Sequence, residues 1–314
     1  MTDKRATRDA LGETLVELAA EGRDDIVVLD ADLAKATTTL KFKAAYPDRF
    51  FDVGIAEQNL IGTAAGLAAG GKTSFASSFA VFATGRAYDQ VRNSVCYAGL
   101  SVKIAATHAG VTVGPDGGSH QMLEDIALMR VLPNMRVIVP ADYVSAKAAI
   151  RAASTTPGPF YIRLGRPAVA VLYDETFVFE VGRAYVMRQG ADVTLAACGH
   201  MVERALAAAE LLAVEGVAAT VVDVPSIKPL DAHTLLAAAR STGAVVTCEE
   251  HSVIGGLGSA IAELLGENAP VPVERVGVRD VFGTSGEADE LMEHFGLTAE
   301  DIAAAARRVL TRKV

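Results

Sequence analysis

Apolar runs of strand length alternate with helix-length amphipathic patterns along almost the whole chain. Residues 26–29, 103–107, 135–139 and 160–164 read as strands, and residues 7–21, 57–69, 88–97, 121–131 and 142–153 read as helices. Neighbouring parallel strands need a long crossover between them, and a helix supplies it. The rhythm therefore predicts an α/β fold with a mostly parallel sheet covered on both faces. It breaks near residues 167–180 and then resumes. Strands are expected at 192–197, 219–224, 244–249 and 273–278, with helices at 202–215, 232–240, 256–265 and 299–311. This second α/β unit is smaller. The expected division is 1–175 for the first domain, 190–314 for the second and 176–189 for the linker. A length of 314 residues suits about two domains, and 51% hydrophobic against 21% charged residues is enough to fill two cores.

Charge and cysteine usage narrow the function. A net charge of −9 argues against a broad nucleic-acid footprint. Anionic small molecules would need local clusters of Arg, His or backbone N–H groups. No run of about 18 apolar residues is present, so no membrane span is expected. The start, MTDKRATRDALGETL, lacks the apolar core of a signal sequence. Cys96, Cys198 and Cys248 stand far apart, with neither metal spacing nor a CxxC pair, and read as reduced thiols of a cytoplasmic protein.

Ligands of an open parallel sheet sit beyond the carboxyl ends of its strands. In the first unit that edge holds residues 30–39, Glu57 and the loop 108–120. Glu57 is a lone acid where a strand runs into a helix, followed by glycine and alanine from 62 to 71. An acid buried among small apolar residues needs a partner, either a side chain or a bound group. An acid near a helix N-terminus can also be stabilised by the helix dipole alone. Phe79 and Phe82 lie close together in Ser74–Gly85 and can pack on a flat ring or fill the core. The loop from Thr107 to Gln121 carries His108, Asp116 and His120 among four glycines and a proline, and is expected to end at the start of the 121–131 helix. Arg166 follows a strand, and a guanidinium there can clamp a phosphate; Arg166 and Arg8 can equally be ordinary surface arginines.

Taken together, Phe51–Leu60, the Phe79/Phe82 pair, the Gly-Pro-Asp-Gly-Gly-Ser-His run ending at His120, and Arg166 resemble the transketolase family. The resemblance runs from about Arg8 to Arg308 and matches only the C-terminal half of a full transketolase. It implies a pyrimidine-binding domain for thiamine diphosphate (ThDP), followed by a transketolase-type C-terminal domain. In that family a carboxylate on ring N1′ stabilises the imino form of the cofactor, whose 4′-imino group then removes the thiazolium C2 proton. Glu57 matches that carboxylate, and Ile55, Phe79 and Phe82 match cofactor-contacting positions. Gly85 stands where single-chain transketolases have a third aromatic, and Tyr88 is a candidate to fill the gap. Arg86–Gln90 also resembles deoxyxylulose-phosphate synthases.

By the same resemblance, His108 sits beside the thiazolium and assists proton transfer to the substrate oxygen. Asp116 and His120 contact sugar hydroxyls and phosphate, with His120 also counted among the catalytic residues. Arg166 and Arg8 bind phosphate. Ala36 replaces a family serine at the phosphate end, where Lys35, Thr37 or Thr38 are possible substitutes. Asp30 and Asp32 can instead cap nearby backbone. Cys248–Gly258 is similar to a largely structural turn of the family's C-terminal domain.

No Gly-Asp-Gly motif for the diphosphate is present, so Mg²⁺ and the diphosphate are expected mainly on a separate N-terminal subunit, with no metal site in this chain. Two copies of each chain would make an α2β2 assembly. The implied activity is transfer of a two-carbon ketol unit between phosphorylated sugars. The alternatives are a 2-oxo acid dehydrogenase β-type subunit, an enzyme like deoxyxylulose-phosphate synthase, and a non-catalytic scaffold subunit.

Overall fold

A computed structural model describes residues 3–313. The strands are β1 (Lys4–Ala6), β2 (Ile26–Asp30), β3 (Phe50–Asp52), β4 (Thr73–Ser77), β5 (Val102–Ala106), β6 (Arg136–Ile138), β7 (Phe160–Arg163), β8 (Ala168–Ala170), β9 (Tyr185–Arg188), β10 (Val193–Ala197), β11 (Ala219–Asp223), β12 (Ser226–Lys228), β13 (Val245–Ser252) and β14 (Val273–Val278). The first sheet has the order β12-β6-β7-β5-β4-β2-β3 and is parallel except for β12. The second has the order β14-β13-β10-β11-β9 and is parallel except for β9. Strands β1 and β8 form a small antiparallel pair.

The central strands are buried on both faces, as the unbroken apolar run of β2 anticipates. Strand β4 was not expected, because Thr73, Ser74 and Ser77 give it a polar look. It is nevertheless fully buried, and the Ser77 hydroxyl is satisfied by the Ala105 carbonyl at 2.8 Å. Strand β3 is an edge strand with Phe51 and Asp52 exposed, so the segment leading to Glu57 is less buried than its composition suggests. The stretch read as linker contains β9, which pairs with β11. Strand β12 comes from the second half of the chain yet extends the first sheet beside β6.

Two helices depart from expectation. The one expected at 121–131 spans only Asp125–Arg130. The Gln121 side chain donates to the carbonyls of Val111 (3.1 Å) and Thr284 (2.8 Å), which anchors this stretch in the loop instead. The helix expected at 88–97 is a single α-turn, Tyr88–Gln90, followed by a wide π-type segment, Val91–Tyr97. By contrast, Tyr143–Thr155 starts as a capping box, with the Asp142 carboxylate accepting from Ser145 N and the Ser145 hydroxyl accepting from Asp142 N.

A buried ion pair of the first domain reaches across to the second. Arg163, at the end of β7, donates Nε–H to Asp125 at 2.7 Å, and its Nη2 reaches the carbonyls of Met122 (3.2 Å) and Glu250 (2.9 Å). The Tyr161 hydroxyl donates to the same Asp125 carboxylate. Removing one member of a buried pair leaves the other charge without compensation. Arg163→Ala is therefore expected to destabilise the chain by about 3–5 kcal/mol in urea unfolding. A loss under about 1 kcal/mol would show that water reaches this site.

Candidate active site

Glu57 opens the helix Glu57–Ala69 and is only 5% exposed. Among the described residues, its carboxylate has one hydrogen-bond partner: Arg86 Nη1, at 3.2 and 3.3 Å from the two oxygens. The Arg86 guanidinium also lies 4.1 Å from the centre of the Phe82 ring. Phe82 stacks with Phe79 at 6.0 Å, and Phe79 stacks with His108 at 3.8 Å. His120 meets Phe82 edge-on at 5.3 Å and Phe79 at 6.4 Å. One continuous wall thus runs from the buried acid, across two aromatic rings, to two histidines.

His108 is buried directly after β5, in a left-handed backbone conformation (φ 57°). Arg8 Nη1 lies 3.0 Å from its Nε2, and Thr107 Oγ1 lies 2.8 Å from its Nδ1. A guanidinium can only donate, so Nε2 is the acceptor and Nδ1 carries the proton. Burial, then the charges of Arg8 and Arg166, push the His108 pKa down to about 3. Burial, together with the charge of Arg166, also lowers the pKa of Arg8, whose Nε is buried without a partner. Arg166 Nη1 donates to the Val113 carbonyl at 2.6 Å and to Asp116 at 3.2 Å. Two arginines therefore converge on one neutral histidine, an arrangement suited to an anion.

The structure brings Glu57, Phe79, Phe82, His108, His120, Arg8, Arg166 and Asp116 to one edge of the first sheet. Ile55 is 77% exposed beside them and makes no part of the wall itself. Tyr88 does not fill the gap at Gly85, because its hydroxyl donates to the Leu128 carbonyl instead. Open space surrounds the Gly85 Cβ position. Thr37 is engaged by Asp30 at 2.7 Å, and Thr38 by Arg8 O at 2.9 Å, which leaves Lys35 as the exposed member of that trio. Asp30 caps Leu33 N at 2.7 Å, and its pKa is raised to about 6 by burial. In the sequence Arg86 is only part of a family-like run. The signal available was its i+4 position after Phe82; its reach to Glu57 was not legible.

A buried carboxylate beside a flat apolar ring suits the aminopyrimidine of ThDP: a ring nitrogen at Glu57 and a ring face against Phe82. Among the described residues, no cluster of three or more His, Cys, Asp or Glu side chains is placed to hold a metal ion. A groove of about 730 Å³ that includes Arg130, Lys228 and Glu263 lies elsewhere and is lined by none of the site residues. Among the described residues, no helix is long and apolar enough to cross a membrane.

Residues 3–171 match the family described as transketolase, pyrimidine binding domain, and residues 182–302 match transketolase, C-terminal domain. Fold and site thus define a chain built from these two domain types. The 6-deoxy-6-sulfo-D-fructose transketolase subunit SqwH of Clostridium sp. is 49% identical over 98% of this chain and 95% of its own length. Human transketolase is 38% identical over 99% of this chain but only 50% of its own length. A solved split gene transketolase, described as an inactive beta4 tetramer, is 54% identical with a TM-score of 0.92, covering 99% of this chain and all of that one. The chain belongs to the transketolase family, whose enzymes depend on ThDP, and it corresponds to the C-terminal half of the full-length members.

The His108 environment gives a direct test. Burial and neighbouring cations disfavour the imidazolium, so protonation is postponed to low pH. The His108 ring resonances are expected to stay constant from pH 8 down to about 5 in an NMR titration. A midpoint near 6.5 would mean that the ring is hydrated and free of Arg8.

Proposed function

We propose that this chain is the C-terminal subunit of a two-subunit, ThDP-dependent transketolase that moves a two-carbon ketol unit between sugar phosphates. The observation that carries the reading is the single wall joining buried Glu57 and Phe82 to His108, His120, Arg8 and Arg166. Bound ThDP supplies the nucleophilic carbon that accepts the two-carbon unit. Glu57 is the proton-sharing partner of ring N1′, Phe79 and Phe82 line the ring, and Ile55 borders it. His108, kept neutral, presents a polar atom to the donor sugar oxygen once Arg8 turns to phosphate. His120 and Asp116 receive the sugar hydroxyls, and Arg166 and Arg8 receive the phosphate.

An N-terminal subunit carries the diphosphate domain and most of the Mg²⁺ ligands, and two copies of each chain form the assembly. The naming of SqwH, which this chain matches over 95% of its length, as a transketolase subunit supports this division, as does the split-gene description of the structural relative. The cytoplasm fits three buried free cysteines. Two arginines and an aspartate on the sugar side favour phosphorylated sugars over a short 2-oxo acid.

In the reconstituted pair, Glu57→Gln is expected to lower ketol transfer from xylulose 5-phosphate by about 100-fold or more. Near-normal transfer would reject the role given to Glu57, and turnover of pyruvate in place of the sugar would move the chain to the 2-oxo acid class. Arg166→Ala is expected to raise KM for the sugar phosphate about tenfold or more while changing kcat less. An unchanged KM would remove Arg166 from the phosphate site.

A further inference from the structure

The slot beside Glu57 is already filled by a side chain of the same subunit. Arg86 sits at the end of the π-type turn Val81–Arg86. Its guanidinium is flat, lies against the Phe82 ring at 4.1 Å, and directs an N–H at both Glu57 oxygens, at 3.2 and 3.3 Å. An aminopyrimidine at this place asks for the same two things: a ring face on which to lie and a carboxylate at its edge nitrogen. The two groups compete for one position. The Arg86 side chain is 55% exposed, and the neighbouring Gly85 has no atom within 4 Å of its Cβ position. The guanidinium thus has room to leave, whereas buried Glu57 does not.

We propose that Arg86 is a place-holder: it compensates the buried Glu57 charge while the subunit lacks cofactor, and the pyrimidine ring of ThDP must displace it to bind. This rests on the cofactor assignment above. The physical reason for such a device is the cost of an unpaired buried carboxylate. A chain that carries such an acid without its cofactor holds it best with a partner that can be given up. A half-exposed arginine is weak enough to yield, since partly solvated ion pairs contribute little.

The test is a calorimetric titration of ThDP, in excess Mg²⁺, into the reconstituted two-subunit complex. Arg86→Ala is expected to tighten the dissociation constant about fivefold, equivalent to ~1 kcal/mol. Arg86→Gln, which keeps a flat amide but loses the charge, is expected to tighten it about threefold, and it serves if the alanine variant fails to assemble. In a Glu57→Gln background, the same replacement of Arg86 is expected to change the constant less than about twofold, because the competition acts through that carboxylate. A purely structural Arg86 would not show this coupling. Weaker binding in the Arg86 variants would make Arg86 a cofactor ligand and overturn the proposal, as would unchanged affinity. If Arg86→Ala leaves the affinity unchanged while Glu57→Gln abolishes ketol transfer, only the place-holder falls. If Glu57→Gln transfers ketol normally, the cofactor assignment falls with it.

Discussion

A buried guanidinium ties the first domain to the second. Arg163 projects from the end of β7, meets Asp125 at 2.7 Å, and spends another donor on the Glu250 carbonyl of the second domain. A cation with almost no access to water persists only where a counter-charge and hydrogen bonds answer it. Its position is telling. Strands β10 and β13 are adjacent in the second sheet, and the carboxyl ends of such strands are where ligands of an open parallel sheet usually sit. Here that edge is pressed against the first domain. The His200 ring packs so closely on Gly165 that a Cβ there would lie 1.9 Å from it. The second domain has therefore given its ligand edge to the interface, and the chemistry gathers in the first.

Electrostatics divide the site into two ends. At one end a carboxylate is buried beside aromatic rings, and its compensation comes from the same chain. At the other, Arg8 and Arg166 crowd a histidine held neutral, and the arginines repel one another. Asp116 offsets Arg166 at 3.2 Å, but among the described residues no carboxylate is hydrogen-bonded to Arg8, whose Nη1 contacts are the Ala36 carbonyl and His108. A phosphate at this end would satisfy what the protein leaves open. The buried acid and the two arginines thus lie on one wall, separated by Phe79 and Phe82.

Much of this was legible in the sequence because it is local. The alternation of apolar runs and helical patterns marks most strands; Glu57, His108 and Arg166 lie shortly after strand ends, and Asp116 and His120 lie in the loop that follows β5. What escaped is non-local. Strand β4 hides behind serines and a threonine, two of which bond to groups far away in sequence, Ser77 to Ala105 and Thr73 to Asp25. Strand β12 joins a sheet whose other members all precede it by more than sixty residues. The helix near residue 121 starts late because the Gln121 side chain is bonded to Thr284, in the other domain. Arg86 carries an ordinary local pattern, and only the folded chain brings it to Glu57.

The loop from Thr107 to Gln121 shows why the second domain matters to a site it does not line. Glu250 accepts from Thr112 N at 2.7 Å, so one carboxylate of the second domain holds the backbone between His108 and His120. Gly110 has a φ of 84°, and a Cβ there would lie 2.2 Å from that carboxylate; at Gly118 it would lie 2.5 Å from the Gly283 carbonyl. At Gly110, Gly117 and Gly118 the other domain comes too close for a side chain. The loop conformation is thus a joint product of both domains. Asp116, His120 and Arg166, which bonds to Val113 in the same loop, take their positions from it. A change at Glu250 or Gln121 would act on Asp116, His120 and Arg166 through backbone placement, while Glu57, on a helix of the first domain with its own neighbours, keeps its geometry. The end of the wall that holds Glu57 and the end that holds Asp116, His120 and Arg166 are in this way positioned separately, although their side chains share one wall.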